Sequence, residues 1–230
     1  MTDAQALETF EALVLSQQPA REPWRPVTDY SFEARKQIEG KHPELIRDVF
    51  QATRVLDAGC GRDAVLVWLL REVGVDAWGF DVSIPSRRWN DPERCAWLMP
   101  GDLADSGLLD DGDRAISSDH DFEIVCRSRD LVICREVLEH LTISQIRIAV
   151  RNLCRLSSRF VYLTTRFHLA PQHLLDVMTS DDLDPTHITM LNQDFLRVLF
   201  VLEGFKRRPD LERAMDWKNL GRCLVYERAA

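Results

Sequence analysis

The sequence has no long apolar run. No stretch reaches the about 18 apolar residues that a membrane helix needs, so no membrane span is expected. The first residues lack an apolar block as well. Acids stand at Asp3 and Glu8, no secretory signal is expected there, and a cytoplasmic location is. The six cysteines show no C-x-x-C spacing. Several fall inside apolar runs, as buried free thiols of a reducing compartment do. Positive charge is also short. There are 29 Lys and Arg against 37 Asp and Glu, a net charge of −8. That argues against the broad basic footprint of a nucleic-acid binder, although it leaves room for a small local patch. No internal repeat is visible.

What is present suits one domain with a full core: 230 residues, 45% hydrophobic and 29% charged. Residues 3–16 read as an amphipathic helix, with Ala6, Leu7, Phe10, Leu13 and Val14 at helical spacing. Residues 17–29 hold three prolines and read as an extended connector. A second helix is predicted over 32–51. Residues 1–51 are thus a helical segment, either capping a ligand cleft or packing on the sheet. Beyond it, strands are predicted near 53–57, 76–81, 95–99, 129–134 and 159–165, and helices near 62–73, 142–156 and 193–203. Such alternation implies a doubly wound, mostly parallel sheet, with ligands beyond the carboxyl ends of its strands. Residues 204–228 are expected to close it as an antiparallel hairpin. Residues 104–121 read as an acidic surface loop, and 122–126 as a short extra strand.

The most informative run is RVLDAGCGRDA, residues 54–64. An apolar strand ends in Asp57, a turn with Gly59 and Gly61 follows, and then a helix opens. Glycines let the backbone turn sharply and approach a ligand closely. Gly59, Gly61 and Ala64 fit the dinucleotide fingerprint G-x-G-x-x-G/A, and Asp81 stands where a ribose-binding acid belongs. The same spacing suits an S-adenosylmethionine site. Asp57 decides between them: a carboxylate there repels a pyrophosphate and attracts an ammonium and a sulfonium.

The run resembles motif I of the class I (Rossmann-like) S-adenosylmethionine-dependent methyltransferases, acid-x-Gly-x-Gly-x-Gly, with Asp63 in place of the third glycine. GFDVS (79–83), PGDL (100–103) and DLVICREVLEHL (130–141) follow at the intervals of that family. The resemblance spans about residues 53–205. It implies a seven-stranded, mostly parallel sheet with an antiparallel C-terminal hairpin, over residues 52–230. It implies S-adenosylmethionine as cofactor and a small or medium-sized acceptor methylated on oxygen or nitrogen. By the same resemblance Asp57 meets the methionine ammonium, and the backbone at Gly59 and Gly61 passes the methionine portion. Asp81 accepts from the ribose hydroxyls, with Val82 beside it. Asp102 and Leu103 meet the adenine, and Cys134 closes the fourth strand near the methyl group.

Glu136, Glu139 and His140 would share one face if their segment is helical. Glu136 and His140, with His187 next, are the first candidates for a general base at the acceptor. The E-x-x-E-H pattern with a later histidine is also similar to metal-assisted O-methyltransferases, such as those of ubiquinone biosynthesis. There Glu136, Glu139, His140 and His187 would hold a divalent ion. The expectation here is a metal-free reaction. Thr164, Thr165, Arg166 and His168 are expected to face the acceptor, and the loop up to about Leu191 to determine the substrate. The basic run Lys206, Arg207, Arg208 reads as a solvated turn. Two further readings remain open: a non-catalytic module that binds S-adenosylmethionine, and an NAD(P)-binding oxidoreductase.

Overall fold

The computed structural model describes residues 32–84, 96–109, 129–167, 175–177 (backbone only), 186–218 and 220–229. The expectations for 3–16, 17–29 and 122–126, and for His168, lie outside these residues. Two helices come first, α1 (Phe32–Glu39) and α2 (His42–Phe50). The alternating core follows: β1 (Arg54–Ala58), α3 (Val65–Glu72), β2 (Asp76–Asp81), β3 (Leu98–Pro100), β4 (Arg129–Arg135), a 3-10 turn at Leu138–His140, α4 (Ile143–Leu156) and β5 (Ser157–Thr164). The rest is β6 (Leu175–Val177), β7 (Thr189–Leu191), α5 (Gln193–Leu202), β8 (Phe205–Arg207), α6 (Pro209–Met215) and β9 (Cys223–Arg228).

Seven strands form one sheet in the order β3-β2-β1-β4-β5-β9-β8, and β9 runs antiparallel to both its neighbours. The chain steps outward from β1 to β3, then crosses back to β4 beside β1. That reversal makes a crevice at the carboxyl ends of β1 and β4, where ligands of open α/β sheets bind. The expected architecture is met. Side-chain alternation divides the sheet into two faces. Leu56, Phe80, Val132, Val161 and Leu163 pack on one face with α4 and α5. Val55, Ala77, Leu131, Ile133 and Tyr162 pack on the other with α2, α3 and α6. The strands are apolar on both faces because helices cover both.

Helix α4 starts where its chemistry says it should. Thr142 accepts from the Gln145 amide while the Gln145 side chain accepts from the Thr142 amide, a reciprocal capping box. Three expectations need correction. The helix over 32–51 is two helices. Gly40 takes a left-handed φ of 52° and ends α1, and Pro43, which cannot donate a backbone bond, opens α2. Helix α3 begins at Val65 rather than 62, because Ala64 is itself left-handed at φ 43°. The C-terminal strands β8 and β9 pair antiparallel as expected, with α6 in the connection between them. The segment at Glu136 to His140 is not one helix. Glu136 sits at φ 51°, outside the 3-10 turn, so the expected shared face does not form. The loop before α5 also carries an antiparallel pair, β6 and β7, that no expectation covered.

Candidate active site

The turn after β1 is held by β2. The amides of Gly59 and Cys60 both donate to the Phe80 carbonyl, at 2.8 and 3.2 Å. Gly59 takes φ 84°, and a Cβ there would lie 2.4 Å from Val137 Cγ2, so the β1 and β4 loops meet with no room for a side chain. Gly61 also has positive φ, at 69°, but a Cβ there would meet no described residue within 4 Å. Space is therefore open beside the Gly61 backbone. The Gly61 amide donates to Asp81 Oδ2 at 2.9 Å, and Asp81 Oδ1 accepts from the Ser83 amide and hydroxyl at 2.8 and 2.6 Å. Val82 beyond it is an exposed apolar side chain. Asp102, exposed at the end of β3, accepts from the Ala104 amide at 2.8 Å. Leu103 is buried, and its carbonyl accepts from Asn152 on α4 at 2.9 Å. Cys134 is buried with its side chain in the core on the α4 side. Only its main chain is placed to face the strand ends.

Asp57 is buried at the end of β1. Burial pushes its carboxyl up to about 7. The Arg135 guanidinium counters this in part, and the Glu39 and Asp81 charges add to it. Arg135, at the end of β4, reaches across to α1. Its two terminal nitrogens donate to the two Glu39 oxygens at 2.9 and 3.0 Å. Glu39 also meets His42 Nδ1 at 2.8 Å, and His42 Nε2 meets the Tyr162 hydroxyl at 3.0 Å. Burial lowers His42 below its ordinary value, so the ring is neutral. A carboxylate can only accept, so Nδ1–H donates to Glu39 and Nε2 accepts from Tyr162. The longer approach of Arg135 Nη1 to Nδ1, 3.3 Å, is then a contact between two donors and not a bond. Burial pushes Glu39 up, but His42 and Arg135 outweigh it and hold the carboxyl at about 2. None of Glu39, His42 and Tyr162 figured among the expected site residues. Their partners lie 96 and 120 residues away in sequence, and no local spacing records such pairs.

The acceptor-side residues divide. Glu139 is buried and its Oε2 accepts from the Thr165 hydroxyl at 2.7 Å, while its Oε1 has no donor among the described residues. Burial first, then the charge of Glu136, pushes Glu139 up to about 8. Glu136 is half-exposed, with Arg222 3.8 Å away. His140 Nδ1 lies 2.8 Å from the Thr186 hydroxyl and 3.2 Å from its carbonyl. The His140 and His187 rings stand 4.7 Å apart. The Ile188 amide donates to the Glu139 carbonyl and the Thr189 hydroxyl to the Leu141 carbonyl, at 2.8 and 2.7 Å. The two histidines thus sit in a seam that joins the β4 loop to the segment before α5. Among the described residues no three His, Cys, Asp or Glu side chains converge as metal ligands. The basic run is taken up by ion pairs. Lys206 faces Glu227, Arg207 binds Glu212, and Arg208 binds Asp210 and Glu227. The described cysteines 60, 134, 154 and 223 are free thiols, and no described helix is long and apolar enough to cross a membrane.

A family model described as a methyltransferase domain matches residues 22–208. The chain belongs to this methyltransferase family. No curated protein matches its sequence. Among solved structures it is similar to the magnesium protoporphyrin IX methyltransferase of Synechocystis PCC 6803 with bound S-adenosylhomocysteine. The identity is 16%, with 99% of this chain and 96% of that one covered and a TM-score of 0.51. An amino pentose methyltransferase from Micromonospora echinaspora matches at 16% identity over 90% of this chain and 100% of that one, with a TM-score of 0.52. A sugar N-methyltransferase from Streptoalloteichus sp ATCC 53650 matches at 14% identity over 93% and 99%, with a TM-score of 0.51. At these identities the likeness is one of fold, and the fold is that of class I methyltransferases. Membership of the methyltransferase family sets the oxidoreductase reading aside.

Proposed function

We propose that this methyltransferase uses S-adenosylmethionine to methylate an oxygen or nitrogen of a small or medium-sized acceptor. The observation that carries this reading is Asp57, a buried carboxylate beside the open backbone of Gly61 at the crevice between β1 and β4. The surroundings fit the cofactor. Asp57 lies where burial opposes its charge, so a cationic amino-acid group beside it gains more than it would in water. The missing Cβ at Gly61 leaves the backbone free to line a ligand.

When bound, the cofactor supplies an electrophilic methyl group on a sulfonium. Asp57 receives the ammonium, and the Gly59–Gly61 backbone lines the methionine portion. Asp81 accepts from the ribose hydroxyls, with Val82 covering the nucleoside. Asp102 and the Leu103 backbone meet the adenine, and the Cys134 main chain closes the wall toward the acceptor. The protein's main contribution is alignment and exclusion of water. An acceptor that carries a proton needs a base. Glu136, half-exposed, 3.8 Å from Arg222 and beside the Glu139 carboxyl, is the first choice, followed by His140 and His187. Glu139, with its proton retained near neutral pH, positions the loop through Thr165 rather than accepting a proton. The acceptors of the similar structures, a porphyrin and amino sugars, make such compounds the first to try.

The test has two stages. Titration with S-adenosylmethionine and with NAD checks the cofactor, and S-adenosylhomocysteine release over a panel of acceptors checks turnover. Binding of NAD alone overturns the reading. Binding of S-adenosylmethionine without turnover of any acceptor favours a non-catalytic module.

A further inference from the structure

The ends of β1, β4 and β5 carry a charged row that the donor-site motifs do not contain. Asp57 pairs in register with Ile133, and Ile133 with Tyr162. Arg135 stands two residues beyond Ile133 and opposite Thr164. Alternation places Asp57, Arg135 and Tyr162 on the same face of the sheet. On that face α1 and α2 bring Glu39 and His42. The result is one continuous chain of donors and acceptors: Tyr162 to His42, His42 to Glu39, and Arg135 to Glu39 through both nitrogens. A bidentate guanidinium–carboxylate pair has one preferred geometry, so Glu39 fixes Arg135 on the face of the sheet that carries Asp57, and Arg135 is not a free surface charge.

We propose that Arg135 is a positioning residue of the donor site that acts through Asp57. Clamped by Glu39 and the His42–Tyr162 pair behind it, its charge keeps the Asp57 carboxylate ready for the cofactor's ammonium. The inference rests on the donor-site reading given above. Among the described residues the charges that bear on Asp57 are Arg135 from β4, Glu39 from α1 and Asp81 from β2, and its own charge reaches the Cys60 and Cys134 thiols. Burial and the neighbouring acids keep both thiols protonated, so they carry no charge. Among the described residues Arg135 favours the ionised form of Asp57, while Glu39 and Asp81 oppose it. Two acids and one cation among the described residues thus bear on Asp57, and the ammonium of the cofactor would add a second positive charge there. Helix α1, outside the motifs, becomes part of the donor site through Glu39.

The experiment is calorimetric titration of the full chain with S-adenosylhomocysteine from pH 5.5 to 9, for the native protein and for Arg135→Met, Arg135→Lys and Asp57→Asn. Native affinity rises with pH to a plateau. Arg135→Met moves the midpoint up by about one pH unit or more, so binding at pH 7 falls about fivefold or more and recovers by pH 9. Arg135→Lys, which keeps the charge, leaves the midpoint in place. In the Asp57→Asn background Arg135→Met adds no further loss. Where Arg135→Met does not fold, Arg135→Gln removes the charge while still donating to Glu39. In the native protein, 5′-methylthioadenosine, which has no amino-acid end, binds without this pH dependence. Weakening that is equal at every pH, an unmoved midpoint, or full additivity with Asp57→Asn overturns the proposal. No binding of S-adenosylhomocysteine by the native protein at any pH overturns the donor-site reading instead.

Discussion

The Gly61 amide donates to the Asp81 carboxylate, and this single bond of 2.9 Å ties the glycine turn after β1 to the end of β2, 20 residues on. The other Asp81 oxygen holds Ser83 by two bonds. The carboxylate therefore shapes the crevice before any ribose arrives, and its lone pairs exceed the bonds it accepts. Asp81→Ala is expected to weaken cofactor binding by about 1.5–3 kcal/mol, the range for a charge-assisted bond. Lys206→Ala, which removes a 60% exposed side chain 3.8 Å from Glu227, should cost almost nothing. Titration of both variants with S-adenosylhomocysteine checks this. Equal affinities would mean that Asp81 does no more than hold the turn.

Gly59 faces Val137 with no space for a methyl group. Gly59→Ala meets two separate penalties, a positive φ and a steric clash. The expected loss of stability is about 1–3 kcal/mol from backbone strain alone, more with the clash. Adding Val137→Ala removes the clash and leaves the strain, so the double variant should recover part of the loss and never all of it. Urea denaturation of the three variants measures the division. Complete recovery would show that φ imposes no cost here.

Much of this site was legible in the sequence, for local reasons. The turn at Gly59 and Gly61 is set by adjacent residues, and Asp81 follows from its register with that turn at the end of the next strand. Alternating apolar runs likewise located β1, β2, β4, β5 and α4 to within a few residues. What could not be read depends on contacts distant in the chain. Glu39 meets Arg135 only because β4 ends beside α1, and Thr165 meets Glu139 only because β5 ends beside the β4 loop. The E-V-L-E-H segment has helical spacing, yet Glu136 adopts φ 51° where the chain leaves β4 and must turn beneath Gly59. Tertiary packing overrides spacing there. Gly40 and Pro43 divide the run over 32–51, because the glycine takes a left-handed φ and the proline has no backbone donor.

Burial of carboxyl groups gives the cofactor-free protein an unusual pH profile. Asp57 is held at about 7 and Glu139 at about 8, both above the usual values of 3.8 and 4.5. Between the usual and the raised values the folded state binds more protons than the unfolded chain, so stability falls as pH rises through that window. Glu39, held at about 2, acts in the opposite sense. Its contribution is present above pH 4.5 and is lost as pH falls toward 2. Asp57→Asn is therefore expected to stabilise the cofactor-free protein at pH 8, by up to about 4 kcal/mol. The gain should vanish near pH 4. Denaturation of both proteins at pH 4, 6 and 8 tests the sign. A gain that does not change with pH would show that Asp57 is ionised throughout.

Cofactor and stability are coupled through the same group. A ligand that binds only the folded state stabilises it by mass action, about 2.7 kcal/mol at one hundred times its Kd. If its ammonium takes up the Asp57 charge, that stabilisation should grow between pH 6 and 8, over the range where the free protein weakens. Thermal melting with saturating S-adenosylhomocysteine should show a larger shift at pH 8 than at pH 6. A smaller shift at pH 8 would place the ammonium elsewhere.

Metal dependence is the remaining question raised by the E-x-x-E-H pattern, and activity is expected to need no divalent ion. A hard cation requires ionised oxygen ligands around one point. Glu139 retains its proton near neutral pH and is engaged by Thr165, while His140 Nδ1 is engaged by Thr186. His187 packs against the His140 ring within the seam to α5. A divalent ion would have to take the Glu139 proton and break the Thr165 bond before binding. Chelator treatment should leave S-adenosylhomocysteine release and the melting temperature unchanged, and magnesium, manganese or zinc should shift neither. His187→Ala should loosen the seam and lower the melting temperature, by an amount that added metal does not alter. Loss of turnover on chelation that one of these ions restores, with the same loss in His187→Ala, would place Glu136, Glu139, His140 and His187 around an ion and make the acceptor a metal-bound oxygen compound.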